Sequence, residues 1–159
     1  MTTLKIRYKT IEHERTEDSP FIGAVISAIN CNFNCKNCFN QPLKNQPTLV
    51  KEDIEIIKEI KSNPFNKGVI FAGLEWTLQP TELFTLANIA HGFELQTILY
   101  TGHDFKYFQE YGTIRYLGDY FDYIKCGRYE ENLKVTNHIE YGVTLASTNQ
   151  HIYKKGIDY

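Results

Sequence analysis

Three of the chain's four cysteines fall within one short stretch, Cys31-Asn32-Phe33-Asn34-Cys35-Lys36-Asn37-Cys38, directly after the apolar run Phe21 to Ile29. Spacings of four and three residues let three thiolates converge from one compact loop, and the fourth cysteine, Cys126, is distant in sequence. The apolar, β-branched run before the loop suits a strand buried on both faces. The cysteines are therefore expected just beyond the C-terminal end of a buried strand.

Size and charge narrow what such a loop can serve. At 159 residues the chain can bury one sizeable core, so a single domain over residues 1–159 is expected. A net charge of −2 without a Lys/Arg-rich block leaves no electrostatic footprint for nucleic acid or an anionic membrane. The segment Met1 to Arg7 lacks the apolar stretch of a secretory signal, and no run approaches a membrane span, so the expected location is cytoplasmic. In a reducing compartment, clustered cysteines are metal ligands or redox groups more often than disulfide partners.

The remaining elements follow from periodicity. Leu4 to Glu12 reads as a first strand, and Glu12 to Pro20 as polar and turn-like. Thr48 is placed to cap a helix running to Asn63, with Leu49, Ile54, Ile57 and Ile60 on its apolar stripe. Val69 to Ala72 is a short buried strand, Pro80 to Gly92 a second helix, Leu95 to Tyr100 a strand, and Phe105 to Tyr111 a helix capped by Asp104. Tyr120 to Lys125 is another strand, and Ile139 to Tyr153 a last strand or a hairpin around Thr148-Asn149. This alternation predicts an α/β fold with a mainly parallel sheet. A full eight-unit barrel takes about 250 residues, so only a partial, open (β/α) barrel fits the length.

Ligands of parallel α/β folds gather outside the C-terminal strand ends. Four segments fall there: the cysteine loop, Gly73-Leu74-Glu75, Thr101 to Asp104 and Cys126-Gly127-Arg128. Other readings of the thiols remain open at this level. They include a structural zinc site completed by Cys126 or by one of His13, His91, His103, His138 and His151, and an iron-sulfur electron carrier. A thioredoxin-like Cys35/Cys38 pair leaves Cys31 unexplained. Trp76 reads as a core or rim aromatic, His103-Asp104 as a turn and cap, and Cys126 as a small apolar filler.

The C-x3-C-x2-C loop after a buried strand, with Gly-x-Glu ending the next, resembles the radical S-adenosylmethionine superfamily. Cys38-Phe39-Asn40, Tyr100-Thr101-Gly102, Asp122 to Glu130 and Ser147-Thr148-Asn149-Gln150 are similar to the family that activates anaerobic ribonucleoside-triphosphate reductases, a glycyl-radical enzyme activase family. The resemblance runs from about Ser19 to Tyr153. It implies a radical-type open barrel and a 4Fe-4S cluster held by Cys31, Cys35 and Cys38, the catalytic and metal residues. The fourth iron would bind S-adenosylmethionine, whose reductive cleavage gives methionine and a 5'-deoxyadenosyl radical. In that family the radical takes a hydrogen from a backbone glycine of a partner, here an anaerobic ribonucleotide reductase, with a low-potential electron donor supplying the electron. A small molecule or another glycyl-radical enzyme is the alternative substrate.

Carried over residue by residue, the resemblance places Asn37 and Phe39 beside the cofactor. It also puts the backbone of Gly73-Leu74-Glu75 at its methionine amino group and Gly127-Arg128 at its carboxylate. This chain departs from the family in three places: Leu74 replaces a second glycine, Trp76 a proline, and Cys126 an aspartate.

Overall fold

Four short apolar segments lie side by side at the centre of the computed structural model, which describes residues 2–112 and 114–159. They are β3 (Gly23–Ile26), β5 (Gly68–Phe71), β6 (Gln96–Thr101) and β7 (Tyr123–Cys126), all mutually parallel. Antiparallel edge strands β2 (Ile11–Arg15) and β10 (His151–Lys154) complete a six-stranded sheet of order β10-β7-β6-β5-β3-β2. Two further pairs stand apart from it: β1 (Lys5–Tyr8) with β4 (Leu49–Glu52), and the hairpin β8 (Lys134–Glu140) with β9 (Val143–Ser147). The helices are α1 (Asp53–Ser62), α2 (Pro80–Gly92), α3 (Phe105–Glu110) and α4 (Ile114–Gly118). Among the described residues no helix is long and apolar enough to cross a membrane.

Period-two alternation divides the side chains of the parallel strands between two faces. Ala24, Ile26, Val69, Phe71, Leu99, Ile124 and Cys126 turn to one face, where α1 supplies Ile56, Ile57 and Ile60 and α2 supplies Leu83, Leu86 and Ala87. Trp76 completes this core, its ring edge-on to Phe71 and its Nε1 donating to the Ile26 carbonyl at 2.9 Å. Ile70, Ile98 and Tyr123 turn to the other face, where Phe21, Ile152 and the hairpin residues Val143 and Leu145 cover them. Further along the same strands, Val25, Ser27, Ala72, Tyr100 and Lys125 line a cavity instead.

Several boundaries differ from the sequence reading. The first strand divides: β1 ends at Tyr8, and Lys9 and Thr10 bond Ser27 across the break, after which β2 continues through Arg15. Leu49–Glu52 is strand rather than helix because it pairs along the whole of β1. The helix starts at Asp53, whose carboxylate accepts from Leu4 N at 3.0 Å and from Ile54 N at 2.6 Å. This tertiary pairing outweighs the helix propensity of the segment. The last parallel strand begins at Tyr123, not Tyr120, and the C-terminal hairpin turns at Tyr141-Gly142 rather than at Thr148-Asn149. α2 and the Asp104 cap stand where expected, with Asp104 Oδ1 accepting from Tyr107 N at 2.9 Å.

Candidate metal centre at the strand ends

The chain leaves β3 under tight backbone control before it reaches the first thiol. Ala28 N donates to Gly73 O at 2.8 Å, Ile29 N to Gln79 Oε1 at 2.9 Å, and Glu75 N to Asn30 O at 2.8 Å. The Asn30 side chain then accepts from Cys31 N at 2.9 Å. Within the loop Asn34 and Asn37 take left-handed backbone angles, φ 51° and 56°, a conformation that Asn tolerates better than most residues. Turns from Cys38 N to Cys35 O and from Gln41 N to Cys38 O, both 3.3 Å, curl the chain around the thiols. The Phe33 ring docks the loop onto Gly102, edge-on to His103 at 5.1 Å.

Cys31, Cys35 and Cys38 all line one cavity of about 570 Å³. Burial pushes the Cys31 thiol up, and burial followed by the neighbouring Cys38 and Cys31 pushes Cys35 up. Both shifts favour the protonated thiol, so a metal binding at Cys31 and Cys35 displaces protons. Among the described residues, the group that brings three metal-ligand atoms within 4.8 Å of one another is His138, Glu140 and His151, not the three cysteines. Thiolates around a tetrahedral zinc stand about 3.8 Å apart, so the loop is open wider than a zinc knuckle.

Cys126 does not join them. Alternation turns it to the helix face, where it is 2% exposed within the apolar core, while its neighbours Lys125 and Gly127 line the cavity. Burial pushes its thiol strongly up. Cys126 is a small core residue, and a zinc site completed by it has no geometric support.

Of the other residues singled out by sequence, Phe39, Gly73, Leu74, Glu75, Gly127 and Arg128 reach the cavity wall. Phe39 is largely exposed and its ring sits 5.6 Å from that of Tyr129. Gly73 adopts φ +81°, and a Cβ there would meet Ser27 at 2.9 Å; Gly127 adopts φ +104°, with Asn149 O at 2.9 Å from the same virtual atom. Both positions need glycine. Leu74 has φ 64°, a left-handed angle costly for a bulky residue, and its side chain packs into the helix-face core. Arg128 is exposed, with its carbonyl held by Asn149 Nδ2 at 2.8 Å.

Asn37 and Glu75 are placed differently from these residues. Asn37 is exposed and is not among the residues that line the cavity. Glu75 is 2% exposed and its carboxylate is already engaged. It accepts from Gly102 N at 2.8 Å, Thr77 N at 3.1 Å, Thr77 Oγ1 at 2.5 Å and Thr101 Oγ1 at 3.1 Å. Glu75 thus latches the loop after β5 to the loop after β6, shaping the wall rather than offering a free carboxylate.

Sequence reasoning missed the cation beside the thiols. Lys125 projects from β7 into the cavity, Nζ 4.8 Å from the centre of the Tyr100 ring. Burial pulls its ammonium down to about 8, against the raising influence of Cys126, Cys38 and Cys35. The Tyr100 hydroxyl is tied to the Asp18 carbonyl, and burial pushes its pKa up. One signal was available: a lysine inside an otherwise apolar parallel strand, in alternation with Ile124 and Cys126.

No curated protein matches the chain. A family model described as a 4Fe-4S single cluster domain matches residues 23–153, from β3 through the cysteine loop to β10. The three thiols of one loop, all lining a single cavity, fit that description. The chain belongs to the 4Fe-4S single cluster domain family.

Proposed function

We propose that this iron-sulfur protein is a radical S-adenosylmethionine activase, built as a partial, open barrel, that generates a glycyl radical on an anaerobic ribonucleoside-triphosphate reductase. The observation that carries the proposal is the division of the cysteines. Three face the cavity from one loop, whereas the fourth is sealed behind the sheet. A cluster held this way keeps one iron free of a protein thiol, unlike electron carriers, whose irons are normally all held by protein. The alternating residues of four parallel strands facing one cavity support the barrel reading.

Cys31, Cys35 and Cys38 hold the cluster. When bound, the cluster and S-adenosylmethionine supply electron transfer and homolytic carbon-sulfur cleavage, and with them the hydrogen-abstracting radical. The chain supplies binding, orientation and electrostatics. Gly73 and Gly127 bring bare backbone to the cavity wall, and Glu75 fixes the spacing of the two loops between them. Lys125 and Arg128 present two cations to the same space, matching a ligand carboxylate. The Phe39 and Tyr129 rings flank the mouth, where a loop from a partner could be received while water is kept out.

Anaerobic reconstitution followed by reduction in the presence of S-adenosylmethionine tests the reading. About four irons per chain and formation of 5'-deoxyadenosine are expected, followed by a glycyl radical signal in electron paramagnetic resonance when the reductase is added. A reduced cluster that leaves S-adenosylmethionine intact would make the protein an iron-sulfur electron carrier. Cleavage without radical transfer to the reductase would keep the chemistry and remove the partner.

A further inference from the structure

A second group of metal-ligating side chains stands away from the cysteine loop. His138 and Glu140 are two residues apart on β8 and so share one face of the hairpin, while His151 opens the edge strand β10. One ring nitrogen of His138, one of His151 and a Glu140 carboxylate oxygen all lie within 4.8 Å of one another. Glu140 Oε2 is 2.8 Å from His151 Nδ1 and 3.3 Å from His138 Nε2. The ligand atoms of a tetrahedral zinc with N and O donors at about 2.0–2.2 Å stand roughly 3.4 Å apart. Both Glu140–imidazole distances are already near that spacing.

The group is also held in place. Glu140 Oε1 accepts from Ile152 N at 2.9 Å, which aims Oε2 at the two imidazoles. The side chains of His138 and Glu140 are only 21% and 24% exposed, and His151, at 47%, leaves an entry path. His138 Nε2 faces a second oxygen as well, the Gln150 carbonyl at 2.8 Å. One ring proton there must be shared between two acceptors. A cation at the same point would take lone pairs from both imidazoles and the carboxylate, with the carbonyl available as a fourth donor.

We propose that His138, Glu140 and His151 form a binding site for a single divalent first-row transition metal, of the zinc class. Two imidazole donors suit such ions, whereas magnesium takes carboxylate, carbonyl and water oxygens. Both imidazoles bind as neutral rings, with the proton of His138 moved to Nδ1 and that of His151 on Nε2. The ion staples the separate β8–β9 hairpin to the edge of the main sheet. Because Val143, Leu145 and Ala146 of that hairpin line the cavity, the staple fixes one of its walls.

The test is metal titration of the full chain with its iron-sulfur cluster reconstituted, so that the clustered thiols are occupied, using cobalt(II) and then zinc in competition. One cobalt per chain is expected, with ligand-field bands but no sulfur-to-cobalt charge transfer, and zinc displaces it. The full chain carrying Ala at Cys31, Cys35 and Cys38 should bind with the same stoichiometry. Glu140→Gln keeps an acceptor for Ile152 N, and His151→Ala alters only an exposed ring. Each should weaken zinc by more than the roughly 10- to 100-fold that loss of an outer-shell partner costs, with circular dichroism unchanged. Unaltered affinity in both variants, a thiolate charge-transfer band in the reconstituted protein, or no binding by the wild type would each overturn the assignment.

Discussion

The two faces of the six-stranded sheet are made by alternate residues of the same four strands, yet they do different work. On the helix face Ile26, Phe71, Leu99 and Ile124 are completely buried against isoleucines, leucines and Trp76. On the opposite face the apolar cover stops halfway. The β9 residues Val143 and Leu145 seal Ile70 and Ile98, and beyond them Ser27, Ala72, Tyr100 and Lys125 border open space and three thiols. One face gains its free energy from close packing. The other leaves room for a cluster, so its stability is completed by what binds there.

The sharpest way to break this contrast is to substitute one residue on each face. Cys35→Ala, on the cavity face, should abolish the cluster and all iron-dependent absorbance. It should shift the stability of the cluster-free chain by no more than about 0.5 kcal/mol, as read by anaerobic urea denaturation. Trp76→Ala, on the helix face, should cost about 3–5 kcal/mol of stability, through the cavity it leaves and the lost bond to the Ile26 carbonyl. Any chain that still folds should retain its thiol loop and bind iron. If Trp76→Ala lost the cluster while staying fully folded, the division of labour between the faces would fail.

A smaller effect is expected at Lys125, the cation that β7 directs into the cavity. Burial disfavours its charged form, so Lys125→Met should stabilise the cluster-free chain at pH 7 by about 1–3 kcal/mol. Between pH about 8 and 10.5 the folded wild type has lost this proton while the unfolded chain keeps it. The unfolded state then binds more protons, and the Lys125 contribution to stability rises with pH. The advantage of the methionine variant should therefore shrink across that window. An advantage that stays constant to pH 10 would show that the ammonium is not desolvated. The same variant should bind S-adenosylmethionine more weakly if Lys125 meets its carboxylate.

How much of this was readable in the sequence depends on whether a feature is local. The cysteine loop, α2 with its proline start, and the Asp104 cap rest on neighbours in the chain, and each stands where its residues place it. Leu49–Glu52 was misread because its partner, β1, lies more than forty residues away, and strand pairing there overrides a helical pattern. The engagement of Glu75 was hidden for the same reason, since its partners Thr101 and Gly102 belong to another loop. Cys126 is the apolar filler its sequence suggests, and Lys125 was within reach: alternation along β7 alone sends one to the core and the other to the cavity.

The least effect, and the most local, is expected at the far end of the same strands, where Asp122 precedes β7. Its carboxylate accepts from Thr97 N at 2.8 Å and lies 3.2 Å from His91 Nε2, tying the starts of β6 and β7 to α2. Burial alone would raise its pKa, but the bonds from His91 and Thr97 outweigh burial and hold it below the ordinary value. A carboxyl that is more acidic in the folded than in the unfolded chain stabilises the fold above the unfolded pKa, near 4, and loses that contribution as pH falls through the folded pKa. Asp122→Ala should cost about 1–2 kcal/mol at neutral pH by leaving Thr97 N without its partner. Followed by thermal unfolding, the melting temperatures of variant and wild type should converge below pH 4. The cluster, at the opposite strand ends, should be unaffected in both, since nothing in the Asp122 network reaches the cavity wall. A loss of iron in Asp122→Ala would mean that the two ends of the sheet are coupled and that the packed core transmits strain between them.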